Sequence, residues 1–319
     1  MYHYTRDLSH SRYPKIKGLD YKLFERQLLF FKENFHVVTM EEVLAVLDNG
    51  GVLPDNALLL TFDDGYIDNF TVALPLLRKY GMQGSFFIPG KTFTEDVLLD
   101  VNKIHFILAS APEKALKDDL LQLLNQRRGG AVFPSNEELY EQYAIPNRFD
   151  SGDVVFVKRV LQTAIPEEIR SEIASALFKK YVGLSERDFS RELYMNRDQI
   201  RCLKENGMFI GLHGYDHYWL GNLSRSAMER DTERALEVMD EFIDRDGWVM
   251  NYPYGNYNEG VLEYIAGRGC RMGLTTEMCA ADLEGDDRYR LPRLDCNDFP
   301  PKSNQYLQWI GRNQKEQKD

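Results

Sequence analysis

Two rhythms of apolar and polar positions run through this chain. Leu58-Leu59-Leu60-Thr61-Phe62 is a short apolar run that stops at Asp63-Asp64-Gly65, the pattern of a buried strand entering a loop. Tyr66 to Tyr80 follows with Ile67, Phe70, Leu74 and Leu77 at helical spacing and Gly81 at its end, while Pro75 inside the pattern predicts a kink. Gly84 to Ile88 is a second strand, stopped by Pro89-Gly90. This strand–helix–strand unit is of the parallel type. The rhythm resumes late in the chain, with a helix over Asp198 to Asn206, a strand over Met208 to Leu212, and a helix capped by Ser224 whose stripe is Met228, Ala235, Val238, Met239 and Phe242. Further strands are expected at Trp248 to Met250, Arg271 to Thr275 and Tyr289 to Leu291, with a helix over Val261 to Ala266.

Such alternation, with about six to eight strands, predicts an α/β fold built as a (β/α) barrel, closed or distorted. Residues 91–197 break the rhythm: they are helical in pattern, with pieces at Asn136 to Tyr143 and Pro166 to Tyr181. The expected organisation is a discontinuous barrel, 1–90 and 198–300, split by a helical insertion over 91–197, with a separate folded domain there as the alternative. A short helix around Tyr306 to Ile310 and a polar tail would complete residues 301–319.

Composition narrows the classes. The 319 residues carry 39 Lys and Arg against 50 Asp and Glu, a net charge of −11, which speaks against a nucleic-acid partner. No apolar stretch is long enough for a membrane span, and Met1 to Asp7 lacks the basic region and apolar core of a signal peptide, so a cytoplasmic location is expected. Cys202, Cys270, Cys279 and Cys296 lack the paired spacing of zinc or redox motifs and read as free thiols.

The chemistry sits where strands end. Asp63 and Asp64 follow one expected strand, His213 and His217 another, Asn251 to Tyr254 a third, and Arg293 a fourth. Parallel strands in a barrel bring their carboxyl ends to one face, so these segments are expected to converge. Asp64, His213 and His217 then offer one carboxylate and two imidazoles, a donor set suited to one divalent ion such as zinc. The four-residue histidine spacing predicts both rings on one face of a single helical turn. A zincin protease is excluded, because His213-Gly214-Tyr215-Asp216-His217 lacks a Glu directly after the first histidine.

Thr61-Phe62-Asp63-Asp64-Gly65, His213-Gly214-Tyr215-Asp216-His217 and Tyr252-Pro253-Tyr254-Gly255 resemble, in order and spacing, the first three motifs of the polysaccharide deacetylases with a NodB-homology domain, carbohydrate esterase family 4. The resemblance spans roughly residues 55–90 and 195–295. It implies a distorted (β/α) barrel of the NodB-homology type and metal-dependent hydrolysis of N-acetyl groups on amino sugars. Residue by residue it implies Asp64, His213 and His217 as metal ligands, Asp63 as general base, and the Tyr254 backbone N–H as an oxyanion donor. The expected substrate is an N-acetylated amino sugar, free or carrier-linked, as a precursor in surface-polysaccharide or lipopolysaccharide assembly.

Departures from the family pattern raise questions for the structure. Gly214 stands where the family has a bracing Ser or Thr, and Asn251 where many members have an Arg that holds the catalytic Asp; Arg293 or Arg290 would have to replace that Arg. No histidine follows His217, so the general acid is open, with His3 and His105 as candidates or Asp63 returning its proton. Tyr66, Tyr215, Tyr218, Trp219, Tyr252, Tyr254 and Tyr257 flank the motifs as candidate sugar-stacking rings. Two alternatives stand beside the deacetylase: an amidohydrolase opening a small cyclic ureide or imide, and a catalytically inactive carbohydrate-binding protein.

Overall fold

The computed structural model describes residues 1–129, 132–147 and 150–310; the expected polar tail lies outside them. Two compact units emerge. One comprises Met1–Asp7, Gly18–Glu95 and the described part of Arg191–Asp319; the other comprises Leu8–Lys17 and Asp96–Ser190.

The first unit is an α/β fold. Strands β1 (Thr5–Arg6) and β2 (Leu19–Asp20) pair in parallel, as do β3 (His36–Val38) and β4 (Ala57–Leu59). The central sheet runs β5 (Thr61–Asp63), β6 (Ser85–Ile88), β7 (Phe209–Leu212), β8 (Trp248–Asn251) and β9 (Cys270–Leu274), in that order and all parallel. The single strand expected over Leu58 to Phe62 is thus two, separated at Leu60. The strand expected at Tyr289 to Leu291 shrinks to one parallel bridge, Leu274 to Leu291. Beyond it the chain returns to the opposite edge, where the Cys296 N–H donates to the Met1 carbonyl (3.2 Å) and Tyr2 bridges in parallel to Phe62. The result is a distorted barrel, with five laddered strands and single contacts where a regular barrel would continue the ladder.

Parallel strands are buried on both faces, so their side chains divide by period two between two cores. Phe62, Phe86, Ile88, Trp248 and Met250 join the larger core, whereas Phe87, Val249, Met272 and Leu274 join a second one with Val38, Met40, Val43 and Leu44. Asp63 pairs in register with Phe87, and Phe87 with Gly211. A Cβ at Gly211 would meet the Phe87 ring at 2.5 Å, which requires glycine there.

Helices follow the expected caps. Ser224 accepts from the Ala227 N–H ahead of the helix Arg225–Met239, whose Met228, Ala235 and Met239 are buried. Pro75 falls at the start of Leu74–Tyr80, and the kink it predicts appears as a wide turn over Asn69–Ala73; Gly81 ends the helix with φ of +69°. Among the described residues no helix is long and apolar enough to cross a membrane. All four cysteines are free.

The second unit is helical: Asp100–Ser110, Glu113–Arg127, Asn136–Tyr143, Gly152–Arg159 and Glu167–Tyr181 enclose Phe106, Phe156 and Phe178. Leu8–Lys17 belongs to it because Tyr13 packs edge-on against Phe106 and Phe189, at 5.0 and 5.7 Å between ring centroids. Among the described residues of this unit Lys103 is the one deeply buried cation, and it is matched by Asp100 (3.0 Å) and Glu186 (2.8 Å).

In the first unit, Phe62 is fully buried in a stack between Tyr2 (5.1 Å) and Phe86 (4.7 Å). Phe62→Ala should therefore lower unfolding stability by about 3–5 kcal/mol. A urea midpoint within error of the parent would contradict this account of the core.

Candidate active site

Three strand ends carry unusual backbone. Asp64 (φ +73°) follows β5, His217 (φ +59°) lies in the loop after β7, and Tyr254 (φ +59°) follows β8. Among the described residues only Asn56 joins them as a non-glycine residue with positive φ. Each such residue costs roughly 1–3 kcal/mol and persists only where its surroundings hold it, which is the behaviour of functional sites.

Asp64, His213 and His217 are brought together, all buried, with their ligating atoms within 4.8 Å of one another. His213 Nε2 lies 3.3 Å and His217 Nε2 3.2 Å from the same oxygen, Asp64 Oδ1. The other carboxylate oxygen accepts from the Tyr66 hydroxyl at 2.5 Å. His213 Nδ1 lies 2.6 Å from the Asn251 carbonyl, which only accepts, so Nδ1 carries a proton and Nε2 is the ring atom turned to Asp64. Burial lowers the pKa of His217 and favours its neutral form. Among the described residues Asp64 Oδ1 is buried without a hydrogen-bond partner.

A buried carboxylate oxygen facing two imidazole nitrogens is compensated by a positive charge shared between them. The spacing fits one: two ligands about 2.0–2.2 Å from a tetrahedral ion lie roughly 3.3–3.6 Å apart. The donor set and this geometry therefore fit a divalent metal. The two histidines do not share a helical turn, as their spacing predicts; the segment is a loop, with Gly214 at φ +67°, and the reversal at His217 aims its ring.

Asp63 has different company. Arg293 donates to both of its oxygens, Nη1 to Oδ1 and Nη2 to Oδ2 at 2.9 Å each, and Asn251 Nδ2 donates to Oδ1 at 2.6 Å. The remaining Arg293 donors go to the Thr275 carbonyl (2.8 Å), Thr61 Oγ1 (3.1 Å) and Asn251 Oδ1 (3.0 Å), so all five are engaged. Burial works to raise the Asp63 pKa, but the Arg293 charge, with His3 and the guanidinium hydrogen bonds, holds it well below the usual carboxylate range. His3 Nε2 stands 3.8 Å from Asp63 Oδ2, with its side chain 40% exposed. Arg290 instead pairs with Asp287, away from Asp63. His105 is a half-buried residue of the helix Asp100–Ser110 in the second unit.

The aromatic residues separate into two groups. Tyr66, Tyr215 and Tyr252 are buried and cannot stack on a ligand, contrary to expectation; the Tyr252 hydroxyl donates to the Tyr289 carbonyl instead. Trp219 and Tyr254 are half-buried and lie flush on each other, 4.3 Å between centroids and 9° between planes, and Tyr254 also meets the His217 ring edge-on at 4.7 Å. The Tyr66–Asp64 bond and the Thr61 contact escaped the sequence reading, because neither residue type announces a partner that folding alone supplies.

The profile of the polysaccharide deacetylase family matches residues 50–273. The chain belongs to this family. It is 20% identical over 295 residues to the Bacillus subtilis (strain 168) protein named "Putative polysaccharide deacetylase YxkH", covering 92% of this chain and 69% of that one. Among solved structures it resembles the Streptococcus pyogenes deacetylase PplD in complex with acetate, with a TM-score of 0.56, 17% identity and coverage of 97% and 94% of the two chains. IcaB from Ammonifex degensii gives a TM-score of 0.56 at 18% identity, covering 96% and 95%. At these identities the likeness speaks for the fold.

Arg293 sets the sign of a pH effect. In the native protein the depressed Asp63 pKa contributes stability that is present above the unfolded value near 4 and is lost as pH falls. Arg293→Ala leaves a buried carboxylate without its cation, which should cost about 3–5 kcal/mol near neutral pH. Burial then raises the Asp63 pKa, so the variant should lose stability as pH rises through the new value. Urea midpoints of metal-free protein between pH 4 and 8 measure this, and parallel curves for parent and variant would refute it.

Proposed function

We propose that this family member is a metal-dependent de-N-acetylase acting on N-acetylated amino sugars. The observation that carries the reading is the pair Asp63–Asp64: two neighbouring buried carboxylates, one clamped by a guanidinium and the other facing two imidazoles. Asp64 Oδ1, His213 Nε2 and His217 Nε2 would hold the ion, and zinc suits this mixed oxygen and nitrogen set. Bound there, a divalent ion supplies Lewis acidity and lowers the pKa of water toward neutrality.

The chain's own groups do the rest. Asp63 stays ionised and takes a proton at Oδ2, the oxygen with fewer hydrogen bonds, while Arg293 and Asn251 fix its orientation. The backbone N–H of Tyr254, set by its positive φ, is the oxyanion donor of the reading. In this reading His3, 3.8 Å from Asp63 Oδ2, protonates the departing amine, or Asp63 returns the proton it took. The Trp219–Tyr254 pair offers a flat apolar wall for a pyranose face. An inactive carbohydrate-binding protein has no use for a buried, clamped base, and this favours the enzyme.

Acetate release from N-acetylated oligosaccharides should need a divalent ion, cease with chelator and return with zinc. Asp64→Ala and His217→Ala should lose the ion. Asp63→Asn should keep it while acetate release falls by about 10²–10⁴-fold. Full metal content in the first two variants, or parent-like turnover in the third, would sink the assignment.

A further inference from the structure

The loop from His213 to His217 has no regular secondary structure, so its shape must be imposed from outside. Two of its carbonyls are held by the turn after β6: Gly214 accepts from the Gly90 N–H (3.0 Å) and Tyr215 from the Lys91 N–H (3.1 Å). Two of its N–H groups point the other way. Tyr215 N–H donates to Asp231 Oδ2 and Asp216 N–H to Asp231 Oδ1, both at 2.9 Å.

Asp231 sits on the helix Arg225–Met239, only 6% exposed, and that helix is anchored in the larger core through Met228, Ala235 and Met239. A carboxylate that gives one oxygen to each of two successive N–H groups fixes two peptide planes at once. An Asn in its place would turn an NH₂ toward one of those N–H donors. Gly214 reports the same contact: it has φ of +67°, and a Cβ there would lie 3.0 Å from Asp231 Oδ2. The place where the deacetylase pattern has a Ser or Thr side chain is thus crowded by this carboxylate. Side chains around the loop add to the hold, since the Tyr215 hydroxyl donates to Glu95 (2.5 Å), Arg234 lies 3.9 Å from the Tyr215 ring centroid, and Lys91 pairs with Asp216 (2.5 Å).

We infer that Asp231 is a positioning residue for the metal site: it presets the loop that aims His213 and His217 at Asp64 before any ion arrives, in place of the hydroxyl that Gly214 lacks. The inference rests on the reading of these histidines as metal ligands, but its first test does not.

Hydrogen exchange of the metal-free protein should show the Tyr215 and Asp216 amides at least a hundred-fold slower than unstructured chain. Fast exchange that slows only when zinc is added would overturn the inference, because the ion and not Asp231 would then order the loop. In Asp231→Asn, exchange should quicken at residues 213–217 while β6 and β7 keep their protection. Zinc affinity of the folded variant should drop by about 10–100-fold, the scale of lost support to metal ligands. Parent-like zinc affinity in the variant, or loosening spread over the whole sheet, would show a merely structural role. If the parent itself binds no zinc, the metal reading falls while the exchange pattern still judges the brace; if the variant does not fold, exchange on the parent decides.

Discussion

Two neighbouring carboxylates that both lose contact with water govern this structure. Asp63 and Asp64 are 2% and 3% exposed, and an ionised carboxylate placed so deep is tolerated only with its own compensation. The backbone answers by turning the two side chains apart: Asp63 ends β5 in extended geometry, and Asp64 takes a positive φ. Asp63 then meets Arg293 and Asn251, while Asp64 meets Tyr66 and the two imidazoles. Different partners give the two acids different chemistry, although they are adjacent in the chain.

Arg293 can reach Asp63 only because the chain after Leu291 comes back across the barrel to the Met1–Tyr2 edge. Asn251 reaches it from β8 on the face shared with Val249, and the same residue's carbonyl sets the His213 tautomer. One residue thereby connects the base to the ligand set. Asp64, His217 and Tyr254 hold positive φ because the contacts around them outweigh its cost.

Much of this was legible beforehand. Strands at Ser85–Ile88, Phe209–Leu212, Trp248–Asn251 and Cys270–Leu274 lie within a residue or two of where apolar runs and turn residues placed them. The cap at Ser224 and the break near Pro75 were equally visible, since both are local chemistry. The strand near Tyr289 was overread, because an alternating trio looks the same whether or not a neighbour pairs with it. The helical turn assigned to His213 and His217 failed for a related reason: a spacing of four permits a helix but does not require one, and the chain leaves helical geometry at Gly214, where φ is positive. Tyr66, Tyr215 and Tyr252 looked like ligand-facing rings because a tyrosine beside a motif carries no mark of the direction it faces.

Taken alone, the sequence determined the alternation of strands and helices, the strand ends that bear polar residues, and the residue types that meet there. Those properties depend on neighbours within one turn or one strand. The tertiary structure decided which arginine clamps Asp63 and how a buried Asp231 shapes a loop whose own residues do not specify it. Each of these joins segments from different elements. Their geometry is set by the curvature and closure of the sheet, a collective result of packing that no local pattern encodes.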